Sequence, residues 1–478
     1  MKRPATPRRR LALLLAVIAA AALIGVASAQ AGGASRSAGL ELGFGGAVVA
    51  DAWNPFRLVL RDVGPVTFEL AIDRGTLRDG ERWSVYRADL PGGSGLSVVE
   101  DEVFVPVWRS LSWTVRSGGL TIASGSVART QADRRPLDII VGEPGPVVRG
   151  SVMGGRSVDL AADRLPLRSA AYDGVGRVIV ATPSARPQAL LAAAVGGAEV
   201  VLTPSALANA ELSAIIPAGG GERLVGAGRI VSLDVWRPTA DTVARVDQAA
   251  LLSAFAAAER ISLPRPAPVL PLLVAASGYA LVVLLVLRFA GVPGVTAALV
   301  LALGASLAVW TPLRPERPTI DTSRDLVIGA EGIGQRWRLH ERVTLPAQTL
   351  VLDVAGWPLS DVEARLGPAS VAVDLPRWRH LTVVERPRTA ALPLLQQADG
   401  SWRNQGTVPL TVVVIRGGDH VDDVPADALV PPPSRDPRPL PSVALALLEL
   451  VPEGAAVASD GARWFVALPS TVLAEAVP

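Results

Sequence analysis

Three uninterrupted apolar runs decide what this 478-residue chain can fold into: Leu11 to Val26, Val269 to Leu287 and Val295 to Trp310. The second holds nineteen residues without a charge. At about 1.5 Å of rise per residue it spans a bilayer core of roughly 30 Å, and the third does so when it starts near Val292. The turn between them, Gly291-Val292-Pro293-Gly294, is too short for a domain, so residues 267–311 are expected to form a transmembrane helical hairpin. Ala298, Ala302 and Ser306 recur every four residues and let two helices approach closely. Neither helix carries an ionisable residue inside, which points to an anchor rather than an ion or proton path.

The first run comes after Lys2, Arg3, Arg8, Arg9 and Arg10 and ends at Ala27-Ser28-Ala29 before Gln30. That order of basic, apolar and small residues reads as a secretory signal over residues 1–29, cleaved or kept as an anchor. The chain beyond Gln30 is exported in both cases. Residues 30–265 and 312–478 are therefore expected outside a cell membrane, as two extracytoplasmic lobes flanking the hairpin. Arg260, Arg265, Arg314 and Arg317 flank the outer ends against Arg288 at the inner turn, which opposes this orientation by the positive-inside rule. The signal takes precedence, because the first segment usually sets orientation.

Composition excludes chemistry. Removing the five amino-terminal charges takes the formal net charge from +2 to about −3, so a basic nucleic-acid footprint is absent. The sole lysine, Lys2, lies in the signal, which rules out a Schiff-base lysine, a Ser–Lys dyad and a phosphate-binding GK[ST] loop in the mature protein. With no cysteine there is no disulfide, thiolate nucleophile or cysteine metal site.

Residues 38–135 read as an all-β sandwich of seven or eight strands, from period-two runs such as Phe56 to Leu60, Val66 to Leu70 and Val103 to Val107. Residues 136–240 alternate solid apolar strands (Leu137 to Val141, Val178 to Ala181, Glu199 to Leu202, Arg229 to Asp234) with helices at Ala185 to Val195 and Pro204 to Ile215. That is an α/β pattern with both sheet faces covered. A juxtamembrane helix is expected within 241–265, over Asp241 to Arg260. Residues 315–478 are expected to form a mainly-β extracytoplasmic domain, with clear strands at Thr349 to Val354 and Leu410 to Ile415.

The layout of signal, sandwich with a Trp53-Asn54-Pro55-Phe56 step, α/β domain and membrane hairpin resembles a group of poorly characterised bacterial membrane-anchored envelope proteins. Their α/β domain is flavodoxin-like and similar to class I glutamine amidotransferases. That family places a cysteine on a strand-to-helix elbow, with histidine and glutamate downstream. Here the elbow reads Thr182-Pro183-Ser184-Ala185-Arg186, and no histidine occurs between residues 30 and 339. The resemblance implies a degenerate glutaminase-like domain, no enzymatic activity and no cofactor. A looser likeness is to the periplasmic accessory subunit of cellulose synthase. The expected role is a non-catalytic interaction or scaffold module with an envelope protein partner, and the alternative is a carbohydrate-binding accessory to exopolysaccharide or cell-wall synthesis.

Each candidate site has a plainer role beside the chemical one. Ser184 could replace the missing cysteine, but it lacks a base and is expected to cap the next helix. Glu100 and Glu102 share one strand face at glycosidase-like spacing, yet are expected on a solvated outer face. Gly329, Gly332 and Gly334 precede a strand and do not match a dinucleotide loop. Asp419, His420, Asp422 and Asp423 read as a polar turn rather than a metal site. Arg336, Arg338 and His340 share one strand face, with Trp337 and Leu339 turned to the core, and Arg377 and Arg379 repeat the pattern around Trp378. These five residues form the candidate face for an oxyanion or a partner's acidic patch, because arginine meets oxyanions bidentately. Carbohydrate binding requires exposed aromatic platforms among Trp83, Trp108, Trp113, Trp378 and Trp402.

Overall fold

The computed structural model describes residues 37–77, 80–127, 136–145, 156–216, 221–236, 246–258, 278, 284, 288, 320–344, 348–359, 362–375, 379–417, 420–431 and 440–469. They are mostly β-sheet with five helices. The first seven strands are β1 (Ser37–Leu42), β2 (Ala52–Val63), β3 (Val66–Leu77), β4 (Gly80–Leu90), β5 (Gly93–Val105), β6 (Ser110–Ser117) and β7 (Leu120–Val127). In β2 the even positions Phe56, Leu58 and Leu60 are buried while Arg61 is exposed, the period-two signature of a strand with one face on a core. They meet Phe68, Leu70 and Ile72 of β3 and Tyr86 of β4, and the Phe56 ring lies 5.4 Å from Phe68 and 5.7 Å from Tyr86.

The α/β segment supplies β8 (Leu137–Gly142), β9 (Arg156–Leu160), β10 (Val175–Ala181), α1 (Pro187–Val195), β11 (Glu199–Leu202), α2 (Pro204–Leu207), α3 (Ala210–Ser213), β12 (Glu222–Val225) and β13 (Gly228–Ser232). Its sheet runs β12-β13-β11-β10-β8-β9, parallel throughout except for β12 at the edge. The apolar runs are solid because both faces are covered. Ile139, Val178 and Val200 pack under α1, while Ile179, Val201 and Val231 pack with Trp236 on the other side. Two helix expectations need correction. The single helix over 204–215 is two short ones, because Asn209 breaks in and caps α3 through the Glu211 N–H (2.8 Å). Ser184 does not cap α1, which starts at Pro187 behind Arg186 with no side-chain cap.

α4 (Gln248–Ala258) lies within the expected juxtamembrane helix. The hairpin of 267–311 falls outside the described residues, except that Gly278, Leu284 and Arg288 are helical. Among the described residues no helix is long and apolar enough to cross a membrane. The remaining elements are β14 (Ile320–Ala330), β15 (Ile333–Thr344), β16 (Gln348–Leu352), β17 (Gly356–Pro358), β18 (Ala364–Leu366), β19 (Val371–Leu375), β20 (Arg379–Glu385), β21 (Arg388–Ala391), β22 (Leu394–Gln396), β23 (Trp402–Asn404), β24 (Leu410–Ile415), β25 (His420–Val424), β26 (Ala428–Leu429), α5 (Ser442–Leu448), β27 (Ala456–Ser459) and β28 (Arg463–Ala467).

Three of these strands complete the amino-terminal sheet, whose order is β16-β19-β18-β4-β3-β6-β7. β18 runs parallel to β4, with Ala364 opposite Ser84, and so covers an edge that would otherwise be free. Leu350, Leu352, Leu366, Val371 and Val373 then enter the same core as Phe56 and Phe68. The sequence pattern places these residues in the carboxy-terminal lobe, because alternation fixes which face of a strand is buried but not which strand lies beside it. The other carboxy-terminal strands form a nine-stranded sheet, β17-β20-β15-β14-β28-β27-β24-β25 with β21 against β15, and a small sheet β22-β23-β26. Leu326, Ile328, Trp337 and Leu339 of the large sheet share a core with Leu251 and Phe255 of α4, Val443 and Leu447 of α5, and Trp53 of β2. The described residues before 259 and after 319 are thus one interlocked body.

Candidate functional site

The most concentrated chemistry lies where three distant segments meet. β5 presents Asp101 and Glu102, Arg168 arrives from the loop before a short 3-10 turn (Ser169–Tyr172), and Arg386 stands one residue beyond β20. The Tyr172 hydroxyl pins the loop by donating to the Pro166 carbonyl (2.9 Å), and the Arg386 N–H donates to the Ala355 carbonyl (2.7 Å). One guanidinium nitrogen of Arg168 bonds both Asp101 and Glu102 at 2.9 Å. Arg386 bridges the same two carboxylate oxygens, at 2.9 Å to Glu102 and closely to Asp101. The Glu102 side chain is only 6% exposed, so it is not on a solvated outer face as the strand pattern suggested, whereas Glu100 is 70% exposed and pairs with Arg57 (3.3 Å).

Burial pushes the Glu102 carboxyl up, and the Arg168 hydrogen bond and the fields of both arginines oppose it. The same bond to Glu102 raises Arg168. The Tyr86 hydroxyl, 3.4 Å from Asp101, is pushed up by burial and by that carboxylate. The two carboxylates at glycosidase-like spacing are therefore held apart in their partners: Glu102 is taken up by Arg168 and Arg386, and Glu100 by Arg57 at the surface. Beside this knot, β1, β2, β5 and the chain from Leu160 to Arg168 enclose a cleft of about 230 Å³.

The Trp53-Asn54-Pro55-Phe56 step builds the seam. Trp53 stacks edge-on to Phe104, which stacks on Trp357. Buried Asn54 donates to the carbonyls of Val49 and Ala52 and accepts the Val49 N–H, all within 2.9 Å. Asp173 accepts the Trp53 N–H (3.2 Å), and burial pushes its carboxyl up to about 7.

The expected arginine face is brought together, but with its own acids. Arg338 makes a bidentate pair with Asp325 (2.7 and 3.0 Å), Arg336 lies 3.9 Å from the same carboxylate, and His340 meets Glu385 at 3.3 Å. Trp337 and Leu339 turn to the core as expected. Arg377 and Trp378 lie outside the described residues, and Arg379 opens β20 with its side chain outside them. Ser184 sits exposed past the end of β10, with its hydroxyl 2.9 Å from that of Thr182. Gly329, Gly332 and Gly334 line the tight β14–β15 hairpin, where Gly332 has φ +79°. Asp419 lies outside the described residues, His420 and Asp422 are 4.0 Å apart, and no metal-sized cluster of acids and histidines occurs among the described residues.

The sequence does not reveal Asp101, Arg168 and Arg386 as a group. No local signal marks them, since Arg386 is 285 residues from Asp101 and no motif spans that distance. Comparison with known proteins returned no matching family model, no matching curated protein and no matching solved structure.

Proposed function

We propose that this chain is a membrane-anchored cell-envelope protein that acts as a non-catalytic interaction module, with its folded body outside the membrane. The observation that carries this reading is the shared core of α4 and β14. α4 precedes the apolar segment in the sequence and β14 follows it, and the two elements belong to one core, so they stand on one side of any membrane the segment enters. That requires an even number of crossings, which suits a hairpin anchor. The flavodoxin-like, degenerate glutaminase reading of the α/β unit is supported by its parallel strand order: β9-β8-β10-β11-β13 is the 2-1-3-4-5 pattern.

A protein partner is favoured over polysaccharide by the tryptophans. Trp53, Trp108, Trp236, Trp337, Trp357 and Trp402 are buried, and Trp113 and Trp464 are half-buried, so none of these eight offers an open stacking platform; the side chains of Trp83 and Trp378 lie outside the described residues.

The test is a pull-down of the full-length protein from detergent-solubilised native membranes with mass spectrometry. A reproducible envelope protein supports the reading, whereas polysaccharide alone overturns it in favour of a carbohydrate-binding accessory. Placement is checked separately, because the chain has no cysteine. Ser112→Cys and Asp399→Cys should both react with a membrane-impermeant maleimide on intact cells; protection of either refutes the orientation.

A further inference from the structure

The cleft beside the knot has two unlike walls. Arg164, Arg168 and Arg186 line one, from the chain between β9 and α1, with Asp163 among them; Glu41 of β1 and Glu100 of β5 line the other, with Arg57 of β2 between them and paired to Glu100 at 3.3 Å. Arg164 reaches Glu41 at 3.4 Å and Arg168 reaches the β5 acids, so the walls are already matched charge for charge across the seam. Those contacts leave binding capacity over. A guanidinium has five donors and a carboxylate about four lone-pair positions, and the Arg168 and Glu100 side chains are 57% and 70% exposed. Arg186 spends its hydrogen bond on a carbonyl, that of Asp163 (2.9 Å), rather than on a carboxylate.

Each wall holds one opposite charge, Arg57 or Asp163, yet keeps its net sign, so a ligand with a single charge is repelled by half of the site. A molecule with both charges satisfies both walls at once. The size of the cleft, about 230 Å³, lies below the usual range of drug-sized pockets and limits the ligand to a few heavy-atom groups. We propose that this cleft binds a small zwitterion, a free amino acid or dipeptide, with its carboxylate on Arg168 and Arg186 and its ammonium on Glu100 and Glu41. Arginine suits the carboxylate end through paired N–H donors. This goes beyond the anchor reading and does not depend on it.

The test is isothermal titration calorimetry of the full-length protein in amphipol against alanine, Ala-Ala, Lys-Ala and Ala-Glu, each also as its N-acetyl and its amide form, with cellotriose as a neutral comparison. The expected result is saturable binding of at least one free compound, weakened about tenfold (about 1.4 kcal/mol) by capping either end. Arg186→Gln should weaken binding similarly, and Glu100→Gln provides a second variant should the first disturb the fold; both side chains are exposed, and the unfolding midpoint should not move. No saturation by any free compound at millimolar concentration, equal binding of free and capped forms, or tighter binding of cellotriose overturns the proposal.

Discussion

Two ionic clusters in this molecule use the same residue types at very different chain separations. The seam knot joins Asp101 and Glu102 to Arg168 and Arg386, 66 to 285 residues away. The β15 cluster joins Arg338 to Asp325, 13 residues away in the neighbouring strand, and His340 to Glu385. The first cluster holds an assembly of segments together, whereas the second decorates a sheet that its backbone ladder already holds. Their energetic weights should differ accordingly.

The largest effect is expected from Arg386→Ala. Breaking a buried pair by removing one partner costs about 3–5 kcal/mol, and the 20% exposure of Arg386 brings the expectation to about 3 kcal/mol. Chemical denaturation of the full-length protein measures it. A loss no greater than that of Arg338→Ala abolishes the distinction between the clusters.

Protonation separates them next, because the slopes run in opposite directions. Asp173, at the seam, has its carboxyl raised by burial from 3.8 to about 7, with only the Trp53 N–H to oppose it. The folded protein thus keeps a proton that the unfolded chain has released, and this contribution is complete below pH 3.8 and lost as pH rises through about 7. Asp173→Asn keeps an acceptor for the Trp53 N–H and removes the penalty, so it should stabilise the protein at pH 8 by about 2 kcal/mol, after discounting about 1.4 kcal/mol per pH unit for partial exposure. At pH 4 it should change little. Equal effects at both pH values refute the assignment.

Glu385 behaves in the opposite sense. The hydrogen bond from His340 holds its carboxyl below the usual glutamate value, helped by Arg388 and Arg338 against a smaller cost of burial. Its contribution is present above the ordinary value of 4.5 and is lost as pH falls. Glu385→Gln should cost about 1 kcal/mol at pH 7 and flatten the acid limb of the stability curve. An unchanged acid limb refutes the pairing.

These contrasts also explain what was legible in the sequence. The parallel strands β8, β10 and β11 could be read because a strand buried on both faces is written as a solid apolar run. Trp337 and Leu339 could be read because period two fixes their face. On that same face period two also sets Gln335 and Glu341, and both are buried, although their polarity alone would place them in solvent. Glu102 differs from its strand pattern for a related reason: alternation points it outward, but the Arg168 loop covers that outward face. The recruitment of β16, β18 and β19 by the first sheet was equally hidden, since an edge strand carries no mark of its partner.

The smallest effect is expected on the arginine face that the strand pattern picks out. Arg338 makes the best-formed pair of the β15 cluster, bidentate to Asp325, yet its side chain is 36% exposed. Exposed pairs contribute about 0.2–1 kcal/mol, because water and salt screen the attraction and ordering two long side chains costs entropy. Removing the guanidinium also leaves Asp325 a cation, Arg336, at 3.9 Å, so the buried carboxylate is not stranded. Arg338→Ala should therefore cost about 0.5 kcal/mol, and raising the salt concentration should shrink even that. The decisive comparison is the double variant with Asp325→Asn. A coupling near 0.5 kcal/mol fits a screened surface pair, whereas a coupling of several kcal/mol would place the β15 face alongside the knot as a structural junction.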